Sequence, residues 1–241
     1  LQSVLAPAYV RMADTFTSLR KYGHTPAGLS SLPDGKAYYE YLLSATTGSN
    51  RPISETKLLL YEDYENNYNT LLSLLTKYPE IGDSELTASL DLSLSSASSA
   101  LKQLHERIQK DFPVPCASDP LSPISVVLKT VPSSMEEYTS PAYYLISPID
   151  DWSTQTICMN RSNFHDNLSL YTTLAHEGYP GHLYQQSAFS ATDPDPLRQA
   201  MNFLGYVEGW ATYAENMSYT WTGLDDNLAR CLQLNQDITL A

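Results

Sequence analysis

A proline between two histidines is the feature that most limits how this chain can fold. The segment LAHEGYPGHLYQQ carries His176 and His182 six residues apart, with Pro180 between them. Six residues turn an ideal helix by roughly 600°, which places the second imidazole about 120° away from the face of the first. Pro180 removes the backbone N–H that would bond the His176 carbonyl, and Gly178 and Gly181 allow unusual dihedral angles. We therefore expect a local bulge or kink that returns His182 to the face of His176.

Carboxylates in two segments complete a set of side chains that could hold zinc. Glu177 directly follows the first histidine, as the general base does in helical zinc motifs with two histidines. The segment GYVEGWATYAE places Glu208 among apolar and aromatic residues, where an unpaired charge would be costly, so we expect it to be the third ligand. Glu215 follows seven residues later on the same helix face and could accept a hydrogen bond from a ligand imidazole. The sequence therefore predicts Zn²⁺ bound by His176, His182 and Glu208.

Such a site predicts hydrolysis. Zinc held by three side chains leaves one position open for water, and Glu177 would take a proton from that water and pass it to the leaving amine. The expected activity is that of a zinc-dependent metallopeptidase-like hydrolase, with a peptide as its substrate. Two alternatives stay open: a catalytically inactive peptide-binding module, and a metal-dependent hydrolase of a non-peptide bond. Glu177 favours catalysis, because a binding module needs no base.

The order of sequence patterns indicates an α+β fold that is mostly α. Helical periodicity dominates the first part, three short segments rich in β-branched and aromatic residues follow, and the last part is helical again. We expect one catalytic domain over residues 1–241, with a small β-sheet beside the motif helix. Its parts would be helical residues 1–112, the small sheet in 113–162 and the metal-site helices in 163–241. The expected strands are 125–131, 142–148 and 154–160.

Several local features give finer expectations. Ser54 is a candidate N-cap for a helix running to about residue 78, whose leucines and tyrosines we assign to the core. Residues 84–99 are of low complexity and could be a connection or the cap of the next helix. Residues 113–123 contain four prolines and predict a rigid loop. Strand 154–160 is assigned to the cleft edge, where an extended peptide could add to it.

Tyrosines near the motifs could stabilise an oxyanion. A hydrolase of this kind needs a donor for the negative charge that develops on the substrate carbonyl oxygen. Tyr143, Tyr144, Tyr179 and Tyr206 lie near the motif elements, and Tyr144, Tyr179 and Tyr206 are the first candidates. We expect one of their hydroxyl groups to serve as that donor.

Composition excludes two kinds of partner. The chain has 27 acidic and 14 basic residues and a net charge of −13, so it would repel the phosphate backbone of nucleic acids and an anionic membrane surface. No apolar run approaches the ~20 residues of a spanning helix, and we expect no stable membrane insertion. Cys116, Cys158 and Cys231 show no paired spacing that would indicate a cysteine zinc site.

The ends of the sequence carry helical patterns without a cap or a stop signal. We therefore expect a fragment of a longer protein, truncated at both ends. Localisation is open on this evidence. An exported or cell-surface bacterial protein is the expectation, with the cytoplasm as the alternative.

The motif segments carry a resemblance to known proteins. HEGYPGHLYQQ followed by GYVEGWATYAE resembles the bacterial domain-of-unknown-function family 885, a zincin-like group. LPDGKAYYEYLLSATTG, VPSSMEEYTSPAYYLISP and TQTICMN are similar to the same family, so the resemblance covers nearly the whole chain. More distantly, the GHLYQQ run looks like the carboxypeptidase Taq family. The resemblance implies a zincin-like metallopeptidase fold with His176, His182 and Glu208 as zinc ligands and Glu177 as base. Many members have a second histidine after the PGH triplet, where this chain has Leu183.

Overall fold

A computed structural model describes residues 3–23, 28–82, 96–112, 124–164, 166–201 and 203–241. The chain separates into two compact units, Leu1–Ala45 and Thr46–Ala241. The boundary falls within a helix, and the single domain expected over residues 1–241 stays a prediction.

Two helices occupy the first unit and its boundary. Helix α1 (Leu5–Leu19) follows the amphipathic pattern expected near the N-terminus, and none of its residues is buried. Helix α2 (Gly35–Thr47) coincides with the apolar segment GKAYYEYLLSATT and crosses into the second unit. Short 3₁₀ turns at Arg20–Tyr22 and Gly28–Ser31 stand between the two helices.

The second unit is mostly helical, with one small sheet inserted into the helical order. Among the described residues its helices are α3 (Ile53–Lys77), α4 (Ala97–Asp111), α5 (Asn167–Glu177), α6 (His182–Ser190), α7 (Pro196–Ala200), α8 (Leu204–Ser218) and α9 (Asp226–Leu240). The strands β1 (Ser125–Thr130), β2 (Ala142–Leu145) and β3 (Thr154–Met159) lie between α4 and α5. The expected α+β, mostly α architecture is confirmed.

The sheet has the order β1-β3-β2, with β3 parallel to β1 and antiparallel to β2. All three strands form where the sequence predicts them. The assignment of segment 154–160 to the cleft edge is wrong, because β3 is the central strand and pairs on both sides. A central strand buries both faces, which accounts for the buried run from Gln155 to Ile157. The edge strands are β1 and β2, and β2 is the one that lines the cleft.

Helix α5 lies in the main core, between the sheet and two helices. Ala100 and Leu104 of α4, Ile157 of β3 and Leu174 of α5 are almost fully excluded from solvent and belong to one cluster. Helix α5 also contacts α8. A second cluster joins the C-terminal half of α3 to α9, and its most buried members include Cys231 and Leu234. This packing fixes the end of α5, where the motif begins.

Helix α3 differs from its prediction at its start and along its surface. It begins at Ile53, Pro52 occupies the N-cap position without a side-chain hydrogen bond, and Ser54 lies inside the helix. Leu71 is its buried residue, whereas Tyr61 and Tyr68 are exposed. The apolar periodicity correctly indicates a helix, but the stripe contains more large side chains than α9 covers.

The segments around α4 are described in part. Ser96 caps α4 by accepting the backbone N–H of Ser99, so the low-complexity segment does end in a helix cap. Residues 83–95, the predicted proline-rich loop 113–123 and Cys116 lie outside the described residues. Cys158 and Cys231 are free thiols. Within the described part of the chain, the helices are too short or too polar for any of them to cross a membrane.

Candidate metal centre

The two motif histidines lie on separate helices. Helix α5 ends at Glu177 and α6 begins at His182, so residues 178–181 form a complete break where we expected a bulge or kink within one helix. The Tyr179–Pro180 peptide bond in this break is cis. The two imidazole rings nevertheless meet, with centroids 4.8 Å apart and planes nearly perpendicular.

Backbone contacts and two glycines hold the break in shape. The Gly181 N–H donates to the Ala175 carbonyl at 2.9 Å, and the Tyr184 N–H donates to the Gly178 carbonyl at 3.2 Å. A Cβ atom on Gly181 would lie 1.7 Å from the His176 carbonyl oxygen, and one on Gly178 would lie 2.5 Å from Leu101 Cδ1. Gly181 therefore meets backbone that leaves no room for a side chain, and at Gly178 the Leu174 carbonyl oxygen, 2.7 Å from the Cβ position, excludes one as well.

Helix α8 reaches the same break from the other side. Trp210 Nε1 donates a 2.7 Å hydrogen bond to the Pro180 carbonyl oxygen. The same helix carries Glu208 and Glu215, one on each side of Trp210 in sequence. The indole contact thus links α8 to the break between the two histidine-bearing helices, in addition to the packing of α8 against both.

Three side-chain atoms surround one point. His176 Nε2 and His182 Nε2 each lie 3.6 Å from Glu208 Oε2, which is too long for a hydrogen bond. Tetrahedral zinc with nitrogen and oxygen ligands spaces its ligand atoms about 3.4 Å apart. Both distances therefore suit a shared zinc-sized ion, and the donor set of two imidazoles and a carboxylate suits that metal.

Glu177 competes with Glu208 for the role of third ligand. The ligand atoms of His176, Glu177 and His182 lie within 4.8 Å of one another, so this trio could also hold a metal. The Oε2 atom of Glu177, however, accepts the backbone N–H of Tyr144 at 2.7 Å. Glu208 Oε2 is nearly equidistant from both imidazoles, whereas one oxygen of Glu177 is already engaged. Glu208 is therefore the better placed of the two carboxylates to share an ion with both imidazoles.

Glu215 orients the first imidazole. His176 Nδ1 donates a 3.0 Å hydrogen bond to Glu215 Oε2, which leaves Nε2 directed towards Glu208 and His182. The carboxylate partner expected from the sequence is therefore in place. Burial lowers the pKa of His176, but the hydrogen bond and charge of Glu215, with Glu177 and Glu208 nearby, raise it by more, so the net shift is upward.

Burial separates the acid–base properties of the other two motif residues. Removal from water raises the pKa of Glu177 to about 6, against the lowering effects of His176 and the Tyr144 N–H. Burial also lowers the pKa of His182, and the neighbouring His176 lowers it further. Both shifts describe the protein without a metal. The lowered pKa of His182 favours its neutral form, which is the form that can bind an ion.

The site opens into a cleft of about 920 Å³. One wall comes from β2 and the segment after it, and the other comes from α6 and the region from α7 to α8. Apolar side chains make up much of both walls. They include Ala142, Ile146, Ile149, Phe189, Met201, Phe203, Leu204 and Val207.

The three candidate tyrosines have different surroundings. Tyr144 donates its hydroxyl to Gln155 Oε1, and Tyr179 is buried with its ring stacked on His105. Tyr206 lines the cleft and is 70% exposed. Tyr206 is thus the candidate oxyanion donor that the geometry retains. The role of Gln155 was missed, although a glutamine within an otherwise β-branched strand was a visible signal.

Fold and site together define a class of protein. It is a mostly helical α+β protein whose candidate metal centre contains two histidines and two carboxylates. The family model described as "Bacterial protein of unknown function (DUF885)" matches residues 1–241, and the chain belongs to that family. No curated protein matches the chain.

The fold is also found in solved structures, of which one example is a protein of Colwellia psychrerythraea described as a putative lipoprotein, with a TM-score of 0.77 and 18% sequence identity. The match covers 98% of this chain and 43% of the other, so the chain spans less than half the length of that protein. At this identity the likeness shows the fold alone.

Proposed function

We propose that this protein is a zinc-dependent hydrolase of peptide bonds. The observation that carries the proposal is the common position of Glu208 Oε2, 3.6 Å from both imidazole Nε2 atoms. Beside it stands a second, largely buried carboxylate, Glu177, whose pKa is raised to about 6. Three ligands with an adjacent base are the parts of a catalytic zinc site with an open position.

The chain's own residues divide the work. Bound zinc would supply Lewis acidity, which lowers the pKa of a water molecule and polarises a carbonyl group. Glu177 would take up the proton and release it to the leaving amine, for which a pKa close to neutrality is suited. The Tyr144 N–H holds one carboxylate oxygen of Glu177, so the other faces the proton to be moved. Glu215 would keep His176 in the tautomer that binds metal through Nε2.

The edge of β2 suits a peptide substrate. Tyr144 lies opposite Ile157, and the neighbouring Asn160 N–H donates to the Pro141 carbonyl. Hydrogen-bonded and non-hydrogen-bonded residue pairs alternate along an antiparallel ladder. Pro141 and Asn160 form a hydrogen-bonded pair, so Tyr144 lies at a non-hydrogen-bonded position, and its amide points away from β3 and towards Glu177. An extended peptide could add to the outward backbone groups of β2 other than the Tyr144 N–H, which Glu177 already binds, with apolar side chains against the cleft walls.

The finer assignments belong to the same proposal. The motifs support a zincin-like fold and a distant likeness to the carboxypeptidase Taq family. Export to the periplasm or cell surface is supported by the description of the Colwellia protein as a putative lipoprotein, with the cytoplasm as the alternative. The alternative functions are a peptide-binding module without activity and a hydrolase of a non-peptide bond.

Metal content and a peptide library test the proposal together. We expect about one zinc per chain by mass spectrometry and cleavage of library peptides that Glu177→Gln reduces at least ~100-fold. Peptide binding by the zinc-loaded protein without cleavage would favour the binding module. Cleavage of ester but not amide substrates would favour the third function. Absence of zinc at the motif residues would remove the basis of both metal-dependent hydrolase functions.

A further inference from the structure

Tyr144 contacts both halves of the broken motif. Its backbone N–H donates to Glu177 Oε2 at 2.7 Å, and its ring stacks on the His182 imidazole with centroids 6.5 Å apart and planes 26° apart. Glu177 is the last residue of α5 and His182 is the first of α6. Since the helix is interrupted between them, helical geometry does not fix their relative position. A residue that contacts both Glu177 and His182 can fix their relative position.

The hydroxyl end of Tyr144 is anchored in the core. Its Oη donates to Gln155 Oε1, which also accepts the Ser147 hydroxyl at 2.9 Å. Gln155 is fully buried, and its Nε2 donates to the Trp152 carbonyl at 2.5 Å. The glutamine side chain is therefore held at both ends, and its oxygen is a fixed acceptor. Tyr144 and Gln155 are diagonal neighbours on one face of the β2–β3 ladder, a spacing that a tyrosine can bridge.

The hydrogen bond from the Tyr144 hydroxyl to Gln155, which we call the tether, also explains why this hydroxyl is a poor oxyanion donor. A phenol has one proton to donate, and here Gln155 takes it. The large buried amide in β3 is thus used to orient a residue at the cleft edge rather than to face the substrate.

We propose that Tyr144, tethered by Gln155, is a positioning residue that sets the Glu177 carboxylate and the His182 imidazole relative to each other. The inference has two parts that separate experimentally. The ring would fix His182 for metal binding, which needs no assumption about turnover. The tethered strand would fix Glu177 for proton transfer, which rests on the proposed function.

Zinc affinity tests the first part without any substrate. Tyr144→Leu removes the ring from His182, and Tyr138→Leu removes an exposed tyrosine of the preceding 3₁₀ helix that does not line the cleft. Residues that orient metal ligands typically contribute 10- to 100-fold in affinity. By competition with a chromophoric chelator, we expect Tyr144→Leu to weaken zinc binding about 10-fold and Tyr138→Leu to leave it unchanged. Unaltered zinc affinity in a folded Tyr144→Leu protein would overturn this part.

A double-mutant cycle tests the second part. Tyr144→Phe keeps the ring and the backbone amide but releases the tether to Gln155, so the fold should be retained. We expect kcat on a library peptide to fall about 10-fold with KM unchanged. In the Glu177→Gln background the same change should have little further effect, because the group it positions has lost its function.

The outcomes of these experiments distinguish the positioning role of Tyr144 from other roles and from the proposed function. If Tyr144→Phe lowers kcat by the same factor in the wild-type and Glu177→Gln backgrounds, Tyr144 does not act through Glu177. A rise in KM with kcat unchanged would assign Tyr144 to substrate binding instead. A wild-type protein that binds zinc but cleaves no peptide would contradict the proposed function while leaving the zinc-affinity test of His182 positioning intact.

Discussion

At the scale of single residues, two carboxylates near the same imidazoles have different surroundings. Glu177 is mostly buried and accepts the Tyr144 amide, whereas the Glu208 side chain is 54% exposed and contacts both Nε2 atoms. We expect Glu177→Gln to keep zinc and lose turnover at least ~100-fold. Glu208→Gln should weaken zinc binding, because an amide oxygen is a poorer ligand than a carboxylate.

Stoichiometry and chelator competition distinguish these two outcomes. Glu106→Gln is a matched control, since Glu106 is an exposed residue of α4 whose ion pair among the described residues is with Lys102 at 3.8 Å. Such a surface pair contributes little to stability. Equal zinc loss in Glu177→Gln and Glu208→Gln would mean that the two roles are misassigned.

Glu215 gives a prediction about the protonation of His176. Its hydrogen bond and charge raise the pKa of His176 against the lowering effect of burial. In metal-free protein, Glu215→Gln should therefore lower the pKa of His176, as followed by the imidazole resonances in an NMR titration. The same variant should weaken zinc binding or turnover about 10- to 100-fold. An unshifted titration would show that Glu215 does not control this imidazole.

At the scale of elements, the break between α5 and α6 depends on Gly181. A Cβ there would overlap the His176 carbonyl, so Gly181→Ala must displace the backbone of the motif. We expect about 1–3 kcal/mol of lost unfolding free energy and weaker zinc binding, measured by urea denaturation and chelator competition.

Gly209→Ala is the control for that prediction. Gly209 lies within α8 with open space where a Cβ would be built, so alanine should be neutral or stabilise the helix by about 0.5–1 kcal/mol. Similar destabilisation by both substitutions would show that the close approach at Gly181 is not what constrains the break.

Local chemistry explains which elements the sequence predicted. The strands carry β-branched runs bounded by Pro, Asp or Asn, and the start of α2 follows a loop rich in Gly and Pro, so their limits were readable. Helical patterning runs through residues 196–221, yet the structure has two helices there, α7 and α8, and Met201 after α7 and Phe203 before α8 are extended. No Gly or Pro marks that division, and tertiary contacts such as those of Phe203 with Gly48 accompany it.

At the scale of the whole molecule, the sequence predicted the composition of the site better than its surroundings. Residue types and spacing singled out two histidines and three glutamates that the structure brings together, because metal chemistry restricts which side chains can serve. Strand order was not predictable from short apolar segments alone, so the cleft edge was assigned to β3, although β2 is the edge strand that lines the cleft. For the same reason the tether from Gln155 to Tyr144 could not be foreseen, since it depends on which strands are neighbours.

Zinc would connect three helices of the second unit, which leads to a prediction about stability. An ion bound only by the folded protein at 100 times its Kd stabilises it by about 2.7 kcal/mol. For a domain of this size we expect the Tm to rise about 5–10 °C on zinc addition and to return to its initial value with a chelator. His182→Ala should abolish the rise. A Tm that responds equally in wild type and variant would place the metal elsewhere.

The four residues between α5 and α6 also bear on how related sites are found in genomes. Searches for this chemistry commonly assume two histidines one helical turn apart, a rule that holds only while the helix is continuous. Here a Gly-Tyr-Pro-Gly insert restores the meeting of two imidazoles six residues apart. Pattern searches that permit a longer gap whenever it contains proline and glycine should therefore retrieve zinc hydrolases that a fixed spacing passes over.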